Sequence, residues 1–519
     1  MWVVWDEGRT TSVATTMPAS KTFDNDIKFQ SRRSDVFSTT GMVACSQPFA
    51  AQAGVDILRS GGNAVDAAIA VAAALNVTEP CSTGLGGDCF LLYYDSKTKQ
   101  VHAMNGSGRS PAALTLERVM KDCVPEGKFE SAPRDADGNV TLSDLCQFHA
   151  HTVTVPGTAA GWCDAVEKWG SGQKTMADVL RPAIELARRG FPVSPITAHW
   201  WKNGVAQLRN GPNAAELLMP KTEEAPRAGE VFRNPHLADV MELIAKEGKD
   251  GFYKGAPGQA IVEVLRNLGG VMTADDLAGH VTEFPDPIST SYGGVDLVEC
   301  PPNGQGIIAL LATNYLKAAL ETLGLESTVS FAHNSAEYLH LVIESLRLAF
   351  ADGKMFVSDP TTAKVKVSEL LSPAYAKQRV ASCFDKSKAN PDVKAGSPLN
   401  ACDTVSFQVV DSTGSAVSMV NSNYMGFGSG IIPRGCGFSL QNRGANFSVV
   451  PGHANAVAGA KRPYHTILPA LLVESASRQL VASFTVMGGF MQPQGHLQVL
   501  LNTRDHGMSP QVCAQIILC

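Results

Sequence analysis

The segment from Asn63 to Pro80, NAVDAAIAVAAALNVTEP, is the strongest constraint on the fold, because it predicts a helix that is apolar on almost every side. Asn63 suits the position before the first turn, since its side-chain oxygen can accept hydrogen bonds from the free amides of a helix. A helix without a polar face must be covered by other elements on most of its surface. The sequence therefore predicts a layered fold with this helix inside, and 519 residues are enough for a core of that size.

The rest of the chain divides into regions with strand patterns and regions with helical patterns. GMVACSQ predicts a short apolar strand, GDCFLLYYDSKTKQVHAMNG predicts a hairpin, and the middle of the chain carries apolar residues at helical spacing. After a polar linker at 384–402, five segments predict strands: TVSFQVVD, SAVSMVNSN, GFSLQN, ALLVE and VASFTVMGG. Helices between two groups of strands indicate a layered α+β or α/β sandwich, preceded by a polar, disordered arm at 1–40.

Composition and charge argue against several classes of function. The net charge of −6 and the lack of a basic stripe disfavour a nucleic-acid partner, and no apolar run reaches the roughly 20 residues of a membrane span. The first residues, MWVVWDEGRTTSVATT, lack the pattern of a signal peptide, so we expect a cytoplasmic protein without a membrane partner. The 12 cysteines lack C-x-x-C spacing, which favours reduced thiols and predicts neither a metal nor another cofactor.

Thr404 lies where the linker meets the first strand of the last region, directly after Asp403. A threonine hydroxyl is a weak nucleophile at neutral pH and needs a nearby base. If the peptide bond between Asp403 and Thr404 were cut, Thr404 would gain a free α-amine with a pKa of about 8, which could serve as that base. The residues alone leave a structural interpretation open, because threonine is also common at the start of a strand.

Other glycine-rich and polar segments also allow both a structural and a functional interpretation. GLGGD at 84–88 and MGG at 487–489 could be turns, or they could supply backbone amides to an oxyanion. His465 and Thr466 lie between two prolines, in a loop where a histidine is more often structural than catalytic.

Two arginines, Arg109 and Arg443, each lie in a loop that contains glycine. An arginine in a loop is usually solvated. Close to a nucleophile, however, two of them would suit a substrate that carries a carboxylate, because a guanidinium can bind a carboxylate through two parallel hydrogen bonds.

Eight segments occur in the order that is typical of one enzyme family. They are GMVACSQPFAAQAGVDILRSGGNAVDAAIAVAAALNVTEP, GLGGDCFLLYYD, VTVPGTAAGW, PAIELARRGFPV, AEYLHLVIESLRLAFADG, DTVSFQVVDSTGSAVS, GFGSGI and VMGG. From Gly41 to about Gln511, the chain resembles the gamma-glutamyltranspeptidases, which are N-terminal-nucleophile hydrolases. Each segment alone is a modest signal, but all eight in one order are specific, and they outweigh the structural interpretation of Thr404.

The resemblance implies a fold and a division of the chain. The expected fold class is α+β, a four-layer αββα sandwich built as one domain. The family cleaves its own precursor into two chains that stay together as a heterodimer. Cleavage between Asp403 and Thr404 would give a large chain, 41–403, and a small chain, 404–519. Because the family normally continues past the position of Cys519, a small chain shortened at its C-terminus is one expectation.

The same alignment implies the catalytic groups. Thr404 takes the place of the nucleophile, and Ser422 takes the place of a second hydroxyl that orients it. Gly488 and Gly489 match the pair whose amides form the oxyanion hole. The implied reaction is ping-pong: a small-molecule amide acylates Thr404, and water, an amino acid or a peptide then takes the acyl group.

The residues implied to bind the substrate differ from those of typical transpeptidases. Tyr424 stands in place of an asparagine, and His465 and Thr466 stand in place of a serine pair. The carboxylate-binding arginine of the family aligns with Ser107, although Arg109 is two residues away. The backbone machinery is therefore expected to be retained, while recognition of the acyl group is changed.

The run that holds the ammonium-binding acid of the transpeptidases is replaced by QNRGAN, which places Arg443 and Ala445 there. These features resemble the transpeptidase-like branch that includes the cephalosporin and glutaryl acylases. Arg443 would add a positive charge where a γ-glutamyl group carries its own, which predicts tolerance of glutaryl-like or other anionic acyl groups.

We expect a self-processing enzyme that hydrolyses γ-glutamyl amides such as glutathione and can transfer the acyl group to amino acids or peptides. One alternative is an acylase that acts on glutaryl-type amides. The other is an unprocessed, inactive relative with a binding or structural role, which the position of Cys519 motivates.

Overall fold

The structure is a computed structural model that describes residues 34–134, 138–363, 366–390 and 404–515. Its strands are β1 (Met42–Ala44), β2 (Asp88–Asp95), β3 (Gln100–Gly106), β4 (Phe191–Pro192), β5 (Val231–Phe232), β6 (Ile288–Tyr292), β7 (Val295–Glu299), β8 (Val405–Val410), β9 (Ala416–Ser422), β10 (Ala470–Glu474) and β11 (Leu480–Phe484). Its helices are α1 (Pro48–Arg59), α2 (Ala64–Thr78), α3 (Leu116–Cys123), α4 (Lys128–Ser131), α5 (Leu142–Cys146), α6 (Thr158–Trp169), α7 (Met176–Arg189), α8 (Pro195–Asn210), α9 (Pro235–Glu247), α10 (Lys249–Tyr253), α11 (Ala256–Asn267), α12 (Ala274–Ala278), α13 (Gly306–Leu323), α14 (Ala336–Phe356), α15 (Val367–Leu370), α16 (Pro373–Cys383), α17 (Gln492–Arg504) and α18 (Pro510–Gln515). Short 3-10 turns lie at Ala150–Thr152, Ala214–Leu217, Thr328–Ser330, Arg443–Asn446 and Gly489–Met491.

Two antiparallel sheets form the centre of the fold. The first has the strand order β1-β8-β9-β2-β3, and the second has the order β11-β10-β7-β6. In the first sheet, β8 and β9 from the last region of the chain lie between β1 and β2 from its beginning. The segment that follows the linker is therefore held by hydrogen-bonded ladders on both sides.

Apolar side chains of each strand alternate between two cores, as the period of two in a strand requires. On β2, Leu91 packs with the helices outside the first sheet, whereas Phe90 and Leu92 face the second sheet. On β10, Leu471 faces the first sheet and Leu472 packs against helices on the other side. The layers are helices, sheet, sheet and helices, which confirms the predicted αββα sandwich of the α+β class.

Helix α2 is the buried helix that the sequence predicts. Every residue from Ala64 to Thr78 is buried, and the helix packs against α1, α7, β8 and β9. Asn63 caps it: its side-chain oxygen accepts from the Asp66 amide at 3.1 Å, and its own amide donates to the Asp66 carboxylate at 3.1 Å. The capped, apolar helix covers the outer face of the first sheet behind β8 and β9.

One predicted strand is wrong. The segment GFSLQN, residues 437–442, is extended and buried but forms no strand ladder. Leu440 exchanges backbone hydrogen bonds with Ser429 and Ile431, and the Gln441 amide donates to the Gly86 carbonyl. Because these partners belong to separate loops, alternation and burial arise here without a neighbouring strand.

Parts of the predicted organisation fall outside the described residues. Of the predicted arm at 1–40, only 34–40 is described, and these residues are exposed. Of the linker, 384–390 is described, and Asp403 lies outside. None of the helices within the described ranges combines the length and the apolar character that a membrane crossing requires.

Candidate active site

Thr404 and Ser422 meet at one end of the first sheet. The ladder between β8 and β9 pairs Val405 with Asn421, so the next position places Thr404 opposite Ser422. On its other side, β9 pairs Ser422 with Asp88 of β2. The Oγ1 atom of Thr404 lies 3.3 Å from the Oγ atom of Ser422, and both residues are buried. Strand register therefore brings the predicted nucleophile and its predicted partner together.

The Ser422 hydroxyl is held by two donors. Its oxygen accepts from the backbone amide of Tyr424 at 2.9 Å and from Nη2 of Arg443 at 3.2 Å. In the contact between the two hydroxyls, Ser422 can be the donor and Oγ1 of Thr404 the acceptor. A donor at that oxygen stabilises negative charge on Thr404 when its proton is removed, and the positive charge of Arg443 strengthens this donor.

Arg443 is fully buried and is bonded to protein hydroxyls. Its Nη1 donates to Oγ1 of Thr466 at 2.6 Å, and its guanidinium carbon lies 4.5 Å from the centre of the Tyr424 ring. The Tyr424 ring also packs against Ala445, and Tyr424 has a left-handed backbone with φ of 78°. A non-glycine residue rarely adopts this conformation, so the packing around Arg443 has to maintain it. Contact of Arg443 or Tyr424 with a substrate stays a prediction.

His465 forms a buried pair with Asp88. The Nε2 atom of His465 lies 3.1 Å from Oδ2 of Asp88, and Nδ1 accepts a hydrogen bond from the amide of Ile467 at 3.4 Å. We therefore assign the hydrogen to Nε2, which donates to the carboxylate. Burial, together with the nearby Arg443 cation, lowers the pKa of His465 to about 3, although Asp88 opposes this shift. The imidazole is thus neutral at physiological pH.

Asp88 connects the first sheet to the surrounding loops. Its Oδ1 accepts from the amides of Gly108 at 3.1 Å and Gly157 at 3.2 Å, and from Nε2 of Gln441 at 2.9 Å. A buried carboxylate needs such donors, because burial without them disfavours the charged form strongly. The acid at the end of GLGGD therefore positions His465 and the loop before Arg443.

The glycines of GLGGD serve close packing. A Cβ atom at Gly86 would lie 2.2 Å from the Ser439 carbonyl oxygen, and one at Gly87 would lie 2.4 Å from that of Ser422. The Gly87 carbonyl also accepts from the amides of Gly157 and Thr158. Of the two interpretations of this segment, the structure favours a turn that lets backbones approach closely.

Gly488 and Gly489 lie at the start of the 3-10 turn that precedes α17, and they are connected to the site through Gln305. Their φ angles are 115° and 56°, so both residues adopt conformations that favour glycine. The Gln305 side chain donates to the carbonyl oxygens of Gly489 at 2.7 Å and Thr466 at 2.6 Å. The glycine pair is therefore two hydrogen bonds from Thr466, whose hydroxyl binds Arg443. Its role in an oxyanion hole stays a prediction.

The Arg109 side chain is bound by two protein carboxylates. It forms ion pairs with Asp359 at 2.5 Å and with Glu283 at 3.1 Å, and it donates to the carbonyl oxygen of Ala460 at 3.1 Å. The buried Arg462 also binds Glu283, at 2.5 Å. The structure thus uses Arg109 to hold the loop before His465 in place, and substrate binding by Arg109 stays a prediction.

A cavity of about 180 Å³ opens beside the group. Tyr424, Tyr464 and Phe490 form one part of its lining, and Asn446 and Asn455 form another. Tyr424 is two residues from Ser422, and Phe490 follows Gly489, so the lining includes sequence neighbours of the hydroxyl pair and of the glycine pair. The arrangement offers a buried pair of hydroxyls, a cation-supported donor and a small concave space, which suit acyl transfer.

Sequence reasoning missed the roles of Asp88, Gln305 and Tyr464. A signal for Asp88 was available, since an acid at the start of an apolar strand is expected to be paired.

Among the described residues, no group of three or more His, Cys, Asp or Glu side chains could hold a metal ion. No disulfide joins the cysteines of the described ranges.

Comparison with known proteins agrees with this geometry. Residues 50–515 match the family model described as Gamma-glutamyltranspeptidase. The chain belongs to the gamma-glutamyltranspeptidase family. It is accordingly an enzyme of the N-terminal-nucleophile hydrolase type, from a family of hydrolases and acyltransferases that includes glutathione hydrolases and acylases. The predicted resemblance is confirmed.

Three members of the gamma-glutamyltranspeptidase family illustrate the similarity. The glutathione hydrolase-like YwrD proenzyme of Bacillus subtilis (strain 168) is 36% identical over 476 residues, which cover 92% of this chain and 84% of the relative. The oxamate amidohydrolase proenzyme of Klebsiella pneumoniae subsp. pneumoniae is 33% identical over 472 residues, which cover 90% and 82%. The solved structure of cephalosporin acylase from Bacillus halodurans is 38% identical, with a TM-score of 0.81 and coverage of 95% and 86%. The names of these three proteins refer to different substrates.

Proposed function

We propose that this enzyme is a self-processing amidohydrolase and acyltransferase whose nucleophile is Thr404. The contact between Thr404 and Ser422, 3.3 Å at adjacent strand ends, is the observation that carries this proposal. Cleavage between Asp403 and Thr404 would give Thr404 a free α-amine, the base that its hydroxyl lacks. The large and small chains would stay together as a heterodimer, since β8 and β9 are paired on both sides. The names of both curated relatives, each a proenzyme, support such a cleavage.

The proposed reaction uses Thr404 and the glycine pair. The α-amine takes the proton from Oγ1 of Thr404, and this oxygen attacks the carbonyl carbon of the amide. The amides of Gly488 and Gly489 stabilise the negative oxygen that forms. The α-ammonium then gives its proton to the leaving amine, which leaves an ester on Thr404. Water, an amino acid or a peptide takes the acyl group in a second half-reaction.

Arg443 favours an acyl group without an ammonium. In the resemblance, the position of QNRGAN holds the acid that binds the substrate α-ammonium, and here Arg443, Ala445 and the ring of Tyr424 fill this place. A second cation beside Arg443 would be repelled in a site of low polarity. Glutaryl-type amides therefore suit the site, and the similarity to a cephalosporin acylase supports this choice. Glutathione and other γ-glutamyl amides are the second candidate, which the name of the Bacillus subtilis relative supports.

Parallel kinetics on two matched substrates test the proposal. Glutaryl anilide and γ-glutamyl anilide differ by the α-amino group alone, so their ratio of kcat/KM measures the effect of the ammonium. We expect the glutaryl compound to be the better substrate, and a clear preference for the γ-glutamyl compound would reverse the assignment. The Thr404→Ala variant should be inactive on both, which controls for a contaminating amidase.

A further inference from the structure

Gln305 is a buried side chain directly before α13 that joins two segments of the site. Its backbone amide donates to the carbonyl oxygen of His465 at 2.9 Å. Its side-chain nitrogen donates to the carbonyl oxygens of Thr466 at 2.6 Å and Gly489 at 2.7 Å. Its side-chain oxygen accepts from the Tyr464 hydroxyl at 2.9 Å. Both hydrogens of the carboxamide are therefore used, and each is directed at a backbone carbonyl.

The glycine pair needs such a support from outside its own backbone. Gly488 and Gly489 have φ angles of 115° and 56°, and glycine can leave these values more easily than any other residue. The direction of an amide hydrogen follows the orientation of its peptide plane, so a small rotation would turn the donors away from a developing oxyanion. The Gly489 carbonyl shares its peptide plane with the Phe490 amide, and this plane is joined at the Cα atom of Gly489 to the plane that carries the Gly489 amide. A hydrogen bond to the Gly489 carbonyl holds the first plane in place and therefore restricts rotation at Gly489.

The same carboxamide also fixes the distance between the two segments. Thr466 bears the hydroxyl that accepts from Arg443, and Arg443 donates to Ser422 beside the nucleophile. Because one nitrogen binds both carbonyls, the glycine pair cannot move relative to Thr466 without losing a hydrogen bond. Gln305 is fully buried, so water does not replace its bonds readily.

We propose that Gln305 is a positioning residue that directs the backbone amides of Gly488 and Gly489 toward the substrate carbonyl. It acts through the carbonyls of Gly489 and Thr466 and does not touch the substrate. This inference rests on the proposed amidohydrolase function. The proposed role of Gln305 requires two N–H donors on one planar group. Methionine lacks these donors, and glutamate would place a negative charge against the two carbonyl oxygens.

Kinetics of the Gln305→Met and Gln305→Glu variants test the proposal. Loss of aligned oxyanion donors weakens binding of the transition state alone, so kcat on a glutaryl anilide should fall about 100-fold while KM changes little. Gln494→Met is the matched control: Gln494 donates to the Phe490 carbonyl at 3.1 Å, one residue beyond the glycine pair, and its loss should leave kcat within about twofold. Rates are expressed per mole of processed small chain, so that a loss of folded enzyme is not counted as a loss of kcat.

A boronic acid provides a readout that a merely structural role would not change. Its boron forms a covalent bond with Oγ1 of Thr404 and becomes tetrahedral, which places one of its oxygens where the oxyanion would lie. Free glutarate binds without forming a covalent bond. Gln305→Met should weaken inhibition by the boronic acid by a factor similar to its loss in kcat/KM, and inhibition by glutarate should be unchanged. Equal weakening of both inhibitors, or unchanged kcat, would overturn the proposal.

The gentler Tyr464→Phe variant keeps the proposal testable if the Gln305 variants do not fold. It removes the hydroxyl that holds the Gln305 oxygen and retains the ring, so we expect kcat to fall about 3- to 10-fold with unchanged KM. Full kcat in this variant would then refute the role of Gln305. If the wild-type enzyme itself hydrolyses neither anilide, the proposed function fails, and this outcome is distinct from a wild-type enzyme whose Gln305 variants remain active.

Discussion

Acid is expected to destabilise this protein through His465, whose imidazole is fully buried beside Asp88. Burial lowers the pKa of His465 to about 3, compared with an ordinary value of about 6.5 in an unfolded chain. Between these two pH values the unfolded chain binds one proton more than the folded chain does. The free energy of unfolding therefore falls as the pH falls from 6.5 toward 3, whereas above 6.5 this residue adds no pH dependence.

The size of the effect follows from these two pKa values. At pH 5 the unfolded chain has taken up nearly all of the proton and the folded chain almost none, which lowers the free energy of unfolding by about 2 kcal/mol relative to pH 8. His280 is a second buried imidazole, with a pKa lowered by burial to about 4, and contributes a similar loss at pH 5. Replacing His465 alone should remove only the first contribution.

Urea unfolding at pH 8 and pH 5 measures this difference. The Thr404→Ala chain is the reference, because a single uncut chain avoids dissociation of two chains, and His465→Gln is added to it. We expect the loss of free energy between pH 8 and pH 5 to be about 2 kcal/mol smaller in the double variant. The exposed His236, changed to glutamine in the same background, is the control and should leave the loss unchanged. Equal losses with and without His465 would refute the reasoning.

Three further predictions concern the nucleophile, its cation and the core. Thr404→Ala should abolish both chain cleavage and anilide turnover, whereas Thr404→Ser should retain slow cleavage because a hydroxyl remains. A denaturing gel measures the cleavage and the anilide assay measures the turnover. Turnover by the alanine variant would contradict the assignment of Thr404. Arg443→Met should lower kcat about 10- to 100-fold in steady-state kinetics, since Ser422 loses a charge-assisted donor; an unchanged kcat would exclude this role for Arg443. Leu471→Ala, in the core between the sheets, should lower the free energy of unfolding in urea by about 2–5 kcal/mol, and the exposed Val481→Ala should cost far less.

The layered fold was predictable because its signals are local. The apolar surface of α2 requires burial wherever the helix lies, and the alternation in β8 and β9 predicts a hairpin from adjacent residues. The neighbours of that hairpin, β1 and β2, come from the opposite end of the described chain. Periodicity does not contain such pairings, because they depend on packing between distant segments of the chain.

The pairing of two hydroxyls in the candidate site was predictable, whereas the placement of its charges was less so. Thr404 and Ser422 follow from alignment, and strand register then places them opposite each other. Whether an arginine in a glycine loop meets solvent, substrate or protein depends on packing between distant segments. Packing directs Arg443 at hydroxyl groups and Arg109 at two carboxylates, and the sequence around each arginine does not show this. Gln305 gave no signal, because its acceptors are backbone carbonyls.

N-terminal sequencing of the chains in purified, active enzyme tests the central claim, that a cut peptide bond supplies the base for Thr404. The denaturing gel should show two chains, and the smaller one should begin at Thr404 in a sample that hydrolyses the anilide. Active enzyme that consists of a single uncut chain, or a small chain that begins at another residue, would contradict it.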